Sequence, residues 1–131
     1  MTWPAIERDV KSAEFFDAAA RDELVIKRCD DCDQALPPEA VVCTTCAGTA
    51  LTWAPATGAA TLVSWTVVHR APNRAYAELT PYTVGVVELA EGPWLYASVE
   101  TEAPVGGQPL RVEFRHPETG EAYPIFVEVT S

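Results

Sequence analysis

The sequence predicts a mostly β chain: a short N-terminal helix, a four-cysteine ribbon and a five-stranded antiparallel barrel. Three observations carry that expectation. All four cysteines fall in two Cys-x-x-Cys pairs separated by ten residues. Residues 59–129 hold five apolar-rich segments with strand-like alternation and no helical pattern between them. Eleven Pro and seven Gly cut the chain into short pieces. At 131 residues it fits one compact domain or two small modules sharing an interface. The hydrophobic share of 48% and charged share of 21% are those of a globular chain, not a disordered one.

The elements follow in order. Residues 1–11, with Trp3 and Pro4, read as an extended arm. Ser12 to Arg21 reads as a helix: the Ser12 hydroxyl can accept from a first-turn N–H, and Glu14 and Asp17 lie toward the positive end. Phe16 with Ala13 and Ala20, and Phe15 with Ala19, would pack. A ribbon follows, with a brief strand Leu24 to Arg28, the cysteine pairs around Pro37-Pro38, and a returning strand Leu51 to Trp53. In the barrel, Val63, Trp65 and Val67 alternate with Ser64 and Thr66 as a half-buried strand requires. Tyr82 to Leu89 and Trp94 to Val99 form a hairpin across Ala90-Glu91-Gly92-Pro93. Leu110, Val112 and Phe114 alternate with Arg111, Glu113 and Arg115. In the last strand, Tyr123 to Val129, the pattern buries Ile125, Val127 and Val129. Closure into a barrel avoids the two exposed edges of an open sheet. The expected divisions are 1–23 for arm and helix, 24–56 for the ribbon and 57–131 for the barrel.

Charge and hydropathy exclude several functions. Nineteen acidic and nine basic side chains give −10 and a pI near 4.5, leaving few cations for a phosphate-binding face. No apolar run approaches the ~18 residues of a membrane span. Glu7, Arg8 and Asp9 stand where a signal peptide needs apolar residues. A cytoplasmic, reducing location is expected, where paired thiols hold metal more often than they form disulfides.

Cys29-x-x-Cys32 and Cys43-x-x-Cys46 form two tight turns whose sulfurs converge. Joined by a hairpin, they surround a point tetrahedrally, as zinc accepts with Zn–S near ~2.3 Å. Four thiolates leave no open position, so one such zinc is structural, and its binding energy is folding energy for a segment without its own core. Iron bound as in rubredoxin and two redox-active dithiols are the alternatives. Asp30 and Asp31 argue against the dithiols because they raise thiol pKa values.

Catalytic constellations are thin. His69 and His116 are the two histidines, Ser64 lacks a Gly-x-Ser-x-Gly setting, and no glycine-rich phosphate loop occurs. Residues 71–81 make a long connection; with His69 and Arg70 it offers Arg74 and Tyr76, a candidate phosphate or partner contact. Lys27, Arg28 and Trp65 complete the candidate ligand or partner contacts.

Phe15-Phe16-Asp17 leading to Leu24-Val25-Ile26-Lys27-Arg28-Cys29-Asp30-Asp31-Cys32, then Pro37-Pro38 before Cys43-Thr44-Thr45-Cys46, then Gly58-x-x-Thr61-Leu62-Val63-Ser64-Trp65-Thr66-Val67-Val68-His69-Arg70, is a specific combination. It resembles the zinc-ribbon/OB-fold family catalogued as domain of unknown function thirty-five, associated with acyl-CoA metabolism, over residues 12–129. Three positions depart from the family pattern. Asp33 and Ala47 stand where glycine usually follows the second cysteine of each pair, and Asp22-Glu23 replaces a glycine before the first strand.

The resemblance implies a rubredoxin-like zinc ribbon, an OB-fold barrel and a non-catalytic accessory subunit. The partner would be a thiolase-like enzyme: a thiolase, a hydroxymethylglutaryl-CoA synthase, or a lipid-transfer-protein-type aldolase of steroid side-chain breakdown. The pair would be a hetero-oligomer meeting acyl-CoA through a shared site. Coenzyme A carries roughly four negative charges, which this acidic chain repels at long range. Tight binding by the chain alone would need Lys27, Arg28, Arg70, Arg74, Arg111 and Arg115 to cluster, so weak or absent binding is expected. Two other functions compete. One is a single-stranded nucleic-acid module stacking bases on Trp65, Tyr82, Trp94 and Tyr96; the other is an electron carrier with iron in the cysteine site.

Overall fold

The computed structural model describes residues 9–70 and 80–129. One helix, α1 (Ala13–Ala20), precedes eight strands: β1 (Val25–Cys29), β2 (Ala35–Leu36), β3 (Leu51–Pro55), β4 (Ala59–Val68), β5 (Tyr82–Leu89), β6 (Trp94–Glu100), β7 (Pro109–Arg115) and β8 (Tyr123–Glu128). The ribbon is a three-stranded antiparallel sheet in the order β2-β1-β3, and the barrel closes as β4-β5-β6-β8-β7.

The helix start differs from expectation. Ser12 makes no capping bond to the first turn. Its hydroxyl turns back to Asp9, accepting from the Asp9 N–H at 3.0 Å and donating to Asp9 Oδ1 at 2.9 Å. The helix end is a Schellman turn: Asp22 N–H reaches Ala19 C=O at 3.0 Å and Glu23 N–H reaches Ala18 C=O at 2.9 Å. Asp22 takes the left-handed conformation that turn needs, φ 60°. Ala18 and Ala19 are the buried helix residues, while Phe15 packs on the core.

One hydrophobic core joins ribbon and barrel. Leu24 and Ile26 pack with Ala60, Leu62, Val87, Leu89, Val99, Leu110 and Phe126. Burying one such side chain is worth about 1.5–3 kcal/mol, so these contacts bind the ribbon's first strand to the barrel. Gly58, at φ 88°, lies directly against the Val112 side chain, where a Cβ has no room.

Three expectations for the barrel are corrected. In β4 the core residues are Ala60 and Leu62, while Trp65 and Val67 are exposed. β4 also carries a bulge: Leu62 faces Val87 but Ser64 faces Val86, so one extra residue enters the strand, and Trp65, opposite buried Gly85, comes onto the same face as Leu62 without being covered. In β8 Ile125 and Phe126 are buried and Val129 is exposed, so Val127 and Val129 are not a buried row with Ile125. The barrel is not wholly antiparallel, because β6 and β8 run parallel where they pair.

Candidate functional site

Two matching turns build the metal centre. In the first, Asp33 N–H bonds Cys29 C=O at 2.8 Å and Cys29 N–H bonds Gln34 C=O at 2.9 Å; in the second, Ala47 N–H bonds Cys43 C=O and Cys43 N–H bonds Gly48 C=O, both at 2.8 Å. Asp33 (φ 65°) and Ala47 (φ 61°) carry the left-handed residue of each turn. Gly48 lies close to the sulfurs: a Cβ there would sit 3.2 Å from Cys46 Sγ and would displace the exposed Asp31 carboxylate, 2.7 Å away.

The four sulfurs lie within 4.8 Å of one another, with Cys29 Sγ to Cys46 Sγ at 3.6 Å and Cys32 Sγ to Cys43 Sγ at 3.5 Å. A tetrahedron with Zn–S near ~2.3 Å has edges of about 3.8 Å, so the donor set fits one structural zinc. Each of the two short sulfur contacts joins one turn to the other, so all four thiols surround a single point, as a metal cage requires. Electrostatics agree. The N–H groups of Cys46 and then Thr45 hold the Cys43 thiol down at about 6. The Gln34 N–H also favours the Cys32 thiolate, yet the Cys43 sulfur beside it pushes Cys32 up to about 12. Two adjacent sulfurs thus share one charge until a cation replaces the proton.

A second feature is a cleft of about 660 Å³ between helix, ribbon and barrel, lined mostly by apolar atoms. Phe15 and Phe16 come from α1, Trp53 from β3, Leu95 and Tyr96 from β6, and Phe126 from β8. Asp9, Lys11, Lys27 and Glu39 are its charged residues.

The expected contact residues are not brought together. Lys27 lines the cleft, donates to Ala40 C=O at 2.7 Å and lies 5.0 Å from the Trp53 ring centroid. Arg28 turns to Asp33, bonding its C=O at 2.9 Å. Trp65, His69 and Arg70 are exposed toward the far end of β4 and do not line the cleft. Arg74 and Tyr76 lie outside the described residues. The cleft residues Phe15, Trp53, Tyr96 and Tyr123 were not expected to meet; they sit on four elements far apart in sequence.

Residues 16–52 match the rubredoxin-like zinc ribbon domain of ChsH2, and residues 53–115 match the C-terminal OB-fold domain of ChsH2. A chain of a solved "Ltp2-ChsH2(DUF35) aldolase" is similar at a TM-score of 0.77 with 31% identity, covering 95% of this chain and 98% of that one. A DUF35-family protein of unknown function from Sulfolobus solfataricus shares the fold, with a TM-score of 0.60 and 13% identity over 79% of this chain and 77% of that one. A "Probable enoyl-CoA hydratase alpha subunit" from Thermomonospora curvata is 32% identical over 126 residues, 94% of this chain. The matched region is 38% of that relative's length, so this chain corresponds to well under half of it. The donor set, the barrel and these matches agree: the chain belongs to the ChsH2 (DUF35) family of zinc-ribbon and OB-fold proteins.

Proposed function

We propose that this chain is a non-catalytic accessory subunit that binds a thiolase-superfamily enzyme and helps form its acyl-CoA site. The partner is a thiolase or a lipid-transfer-protein-type aldolase, in a pathway that shortens acyl-CoA or steroid side chains. The observation that carries the reading is the near full-length similarity to one chain of the Ltp2-ChsH2 aldolase. The side-chain inventory supports it. His69 stands exposed at the end of β4, His116 is engaged by Asp22 at 2.6 Å, and neither lines the cleft. Several cations that could meet CoA phosphates are committed: Arg28 to Asp33, Arg111 to Glu113 at 2.9 Å, and Arg115 to both Glu100 and Glu113. The phosphates are therefore met chiefly by the partner, and the site is composite. The same commitments weigh against the nucleic-acid reading, which needs a basic groove beside the exposed Trp65, Trp94 and Tyr96.

The test is co-expression with the thiolase or aldolase of the same organism. The two proteins are expected to co-elute, with acyl-CoA turnover by the complex and none by this chain. Thioester turnover by this chain alone, or a partner whose activity and elution ignore it, would overturn the reading.

A further inference from the structure

One wall of the cleft is a strip of strand backbone. β8 joins β6 at Val99↔Phe126 and Glu100↔Val127, and among the described residues no strand pairs Trp94–Ser98 on that side. The other side of β6 is paired with β5 from Glu88↔Trp94 to Val84↔Ser98. The bond from Leu89 N–H to Pro93 C=O sets the phase of that ladder. Because hydrogen-bonded positions alternate in an antiparallel pair, Leu95 and Ala97 turn their N–H and C=O to β5. Tyr96 therefore turns its own toward the cleft, where it is 90% exposed.

Native edge strands are blunted by charges, prolines or bulges. The segment Trp94-Leu95-Tyr96-Ala97-Ser98 carries no charge and no proline, and its pairing with β5 has no register shift. It is an apolar edge facing an apolar cleft.

We propose that this edge seats an extended, uncharged, apolar segment of the partner enzyme, which adds to β6 as a strand. This rests on the accessory-subunit reading and gives it a docking geometry. Backbone bonds to Tyr96 would supply affinity, and alternate side chains would pack on Phe15, Trp53 and Phe126. Lys11 and Lys27 balance Asp9 and Glu39 around the cleft, so a charged segment gains no net attraction. A second copy is the poorer occupant, because two chains of net charge −10 repel each other.

Amide hydrogen exchange on the co-expressed complex tests this. The Tyr96 amide is expected to exchange freely in the isolated chain and at least about tenfold more slowly in the complex. Tyr96→Pro removes the cleft-facing N–H without removing a bond to β5, and edge positions tolerate proline. It should weaken partner binding about tenfold or more, while Tyr96→Ala costs a few-fold. If Tyr96→Pro fails to hold zinc, the exchange measurement on the unaltered chain decides. A complex whose Tyr96 amide is not slowed, equal effects of Pro and Ala, protection in the isolated chain, or a chain that dimerises through this edge would each overturn the proposal while leaving the subunit reading standing. Failure to form any complex would overturn both.

Discussion

Restoring glycine at the three left-handed positions tests the turn geometry directly. Asp22, Asp33 and Ala47 all have φ near +60°, and they are the only non-glycine residues with positive φ among the described residues. A side chain in that region costs roughly 1–2 kcal/mol for most residues, and less for Asp, whose short polar side chain bonds locally. Ala47 is exposed, so Ala47→Gly removes strain with little lost packing. The greater freedom of glycine in the unfolded chain returns about 0.4–1 kcal/mol. The net gain should be about 0.5–1 kcal/mol.

At Asp33 the gain is smaller. The Arg28–Asp33 ion pair at 3.5 Å is exposed and worth little, while the bond to the Asp33 C=O survives the change. At Asp22 the 2.6 Å contact to His116 is lost, and the net effect is near zero or unfavourable. The order of stability is therefore Ala47→Gly, then Asp33→Gly, then Asp22→Gly. Urea unfolding followed by tryptophan fluorescence, with zinc saturating, resolves it: with m of about 1–3 kcal/mol/M, Ala47→Gly should raise the midpoint by roughly 0.2–1 M. A lower midpoint for Ala47→Gly, or the reverse order, would refute the reasoning.

The purified chain should contain one zinc and be colourless, and chelation should unfold the ribbon and loosen the shared core around Leu24 and Ile26, seen as faster exchange of those amides; a red preparation would indicate iron. Gly58→Ala should lower stability by about 2 kcal/mol or more, because the new Cβ meets the Val112 side chain at a φ of 88° that alanine resists; thermal unfolding measures it. Glu113→Gln should be slightly destabilising at neutral pH and indistinguishable from the unaltered chain in acid. The hydrogen bond from Arg115 holds the Glu113 carboxyl below the usual carboxylate range of 4.5. Its contribution is therefore full above that value and fades as pH falls through the lowered folded pKa, which unfolding midpoints at neutral and acidic pH will show.

Which parts of the fold were legible in sequence follows from the range of the interactions. The cysteine turns are local, and their spacing alone placed four sulfurs around one point. The hairpin of β5 and β6 was legible from alternation and turn residues, which again act within a few residues. The bulge in β4 was not: Val63, Trp65 and Val67 alternate well, but one extra residue near Leu62 breaks the phase of the strand, whose core residues are Ala60 and Leu62. Two-residue β2 has no period to detect, and the parallel pairing of β6 with β8 joins segments that local patterning never compares.

The three departures from the family's glycines mark where sequence and structure meet most closely. Each falls on a residue with positive φ, so the turn shapes were kept although the residue best suited to them was not. At Asp22 and Asp33 the side chains make contacts that glycine lacks, to His116 and to Arg28. Ala47 has no such contact to explain its strain. The cleft follows a different logic. No motif announces it, since its walls come from the helix, the ribbon and two barrel strands, each apolar for reasons of local packing. Its open character arises where β8 leaves β6 after two paired positions, a consequence of barrel closure rather than of any one segment. With Arg21, Arg28, Arg111 and Arg115 ion-paired and an apolar strand edge open beside the cleft, the described surface is better equipped to grip another protein's backbone than to hold a charged metabolite by itself.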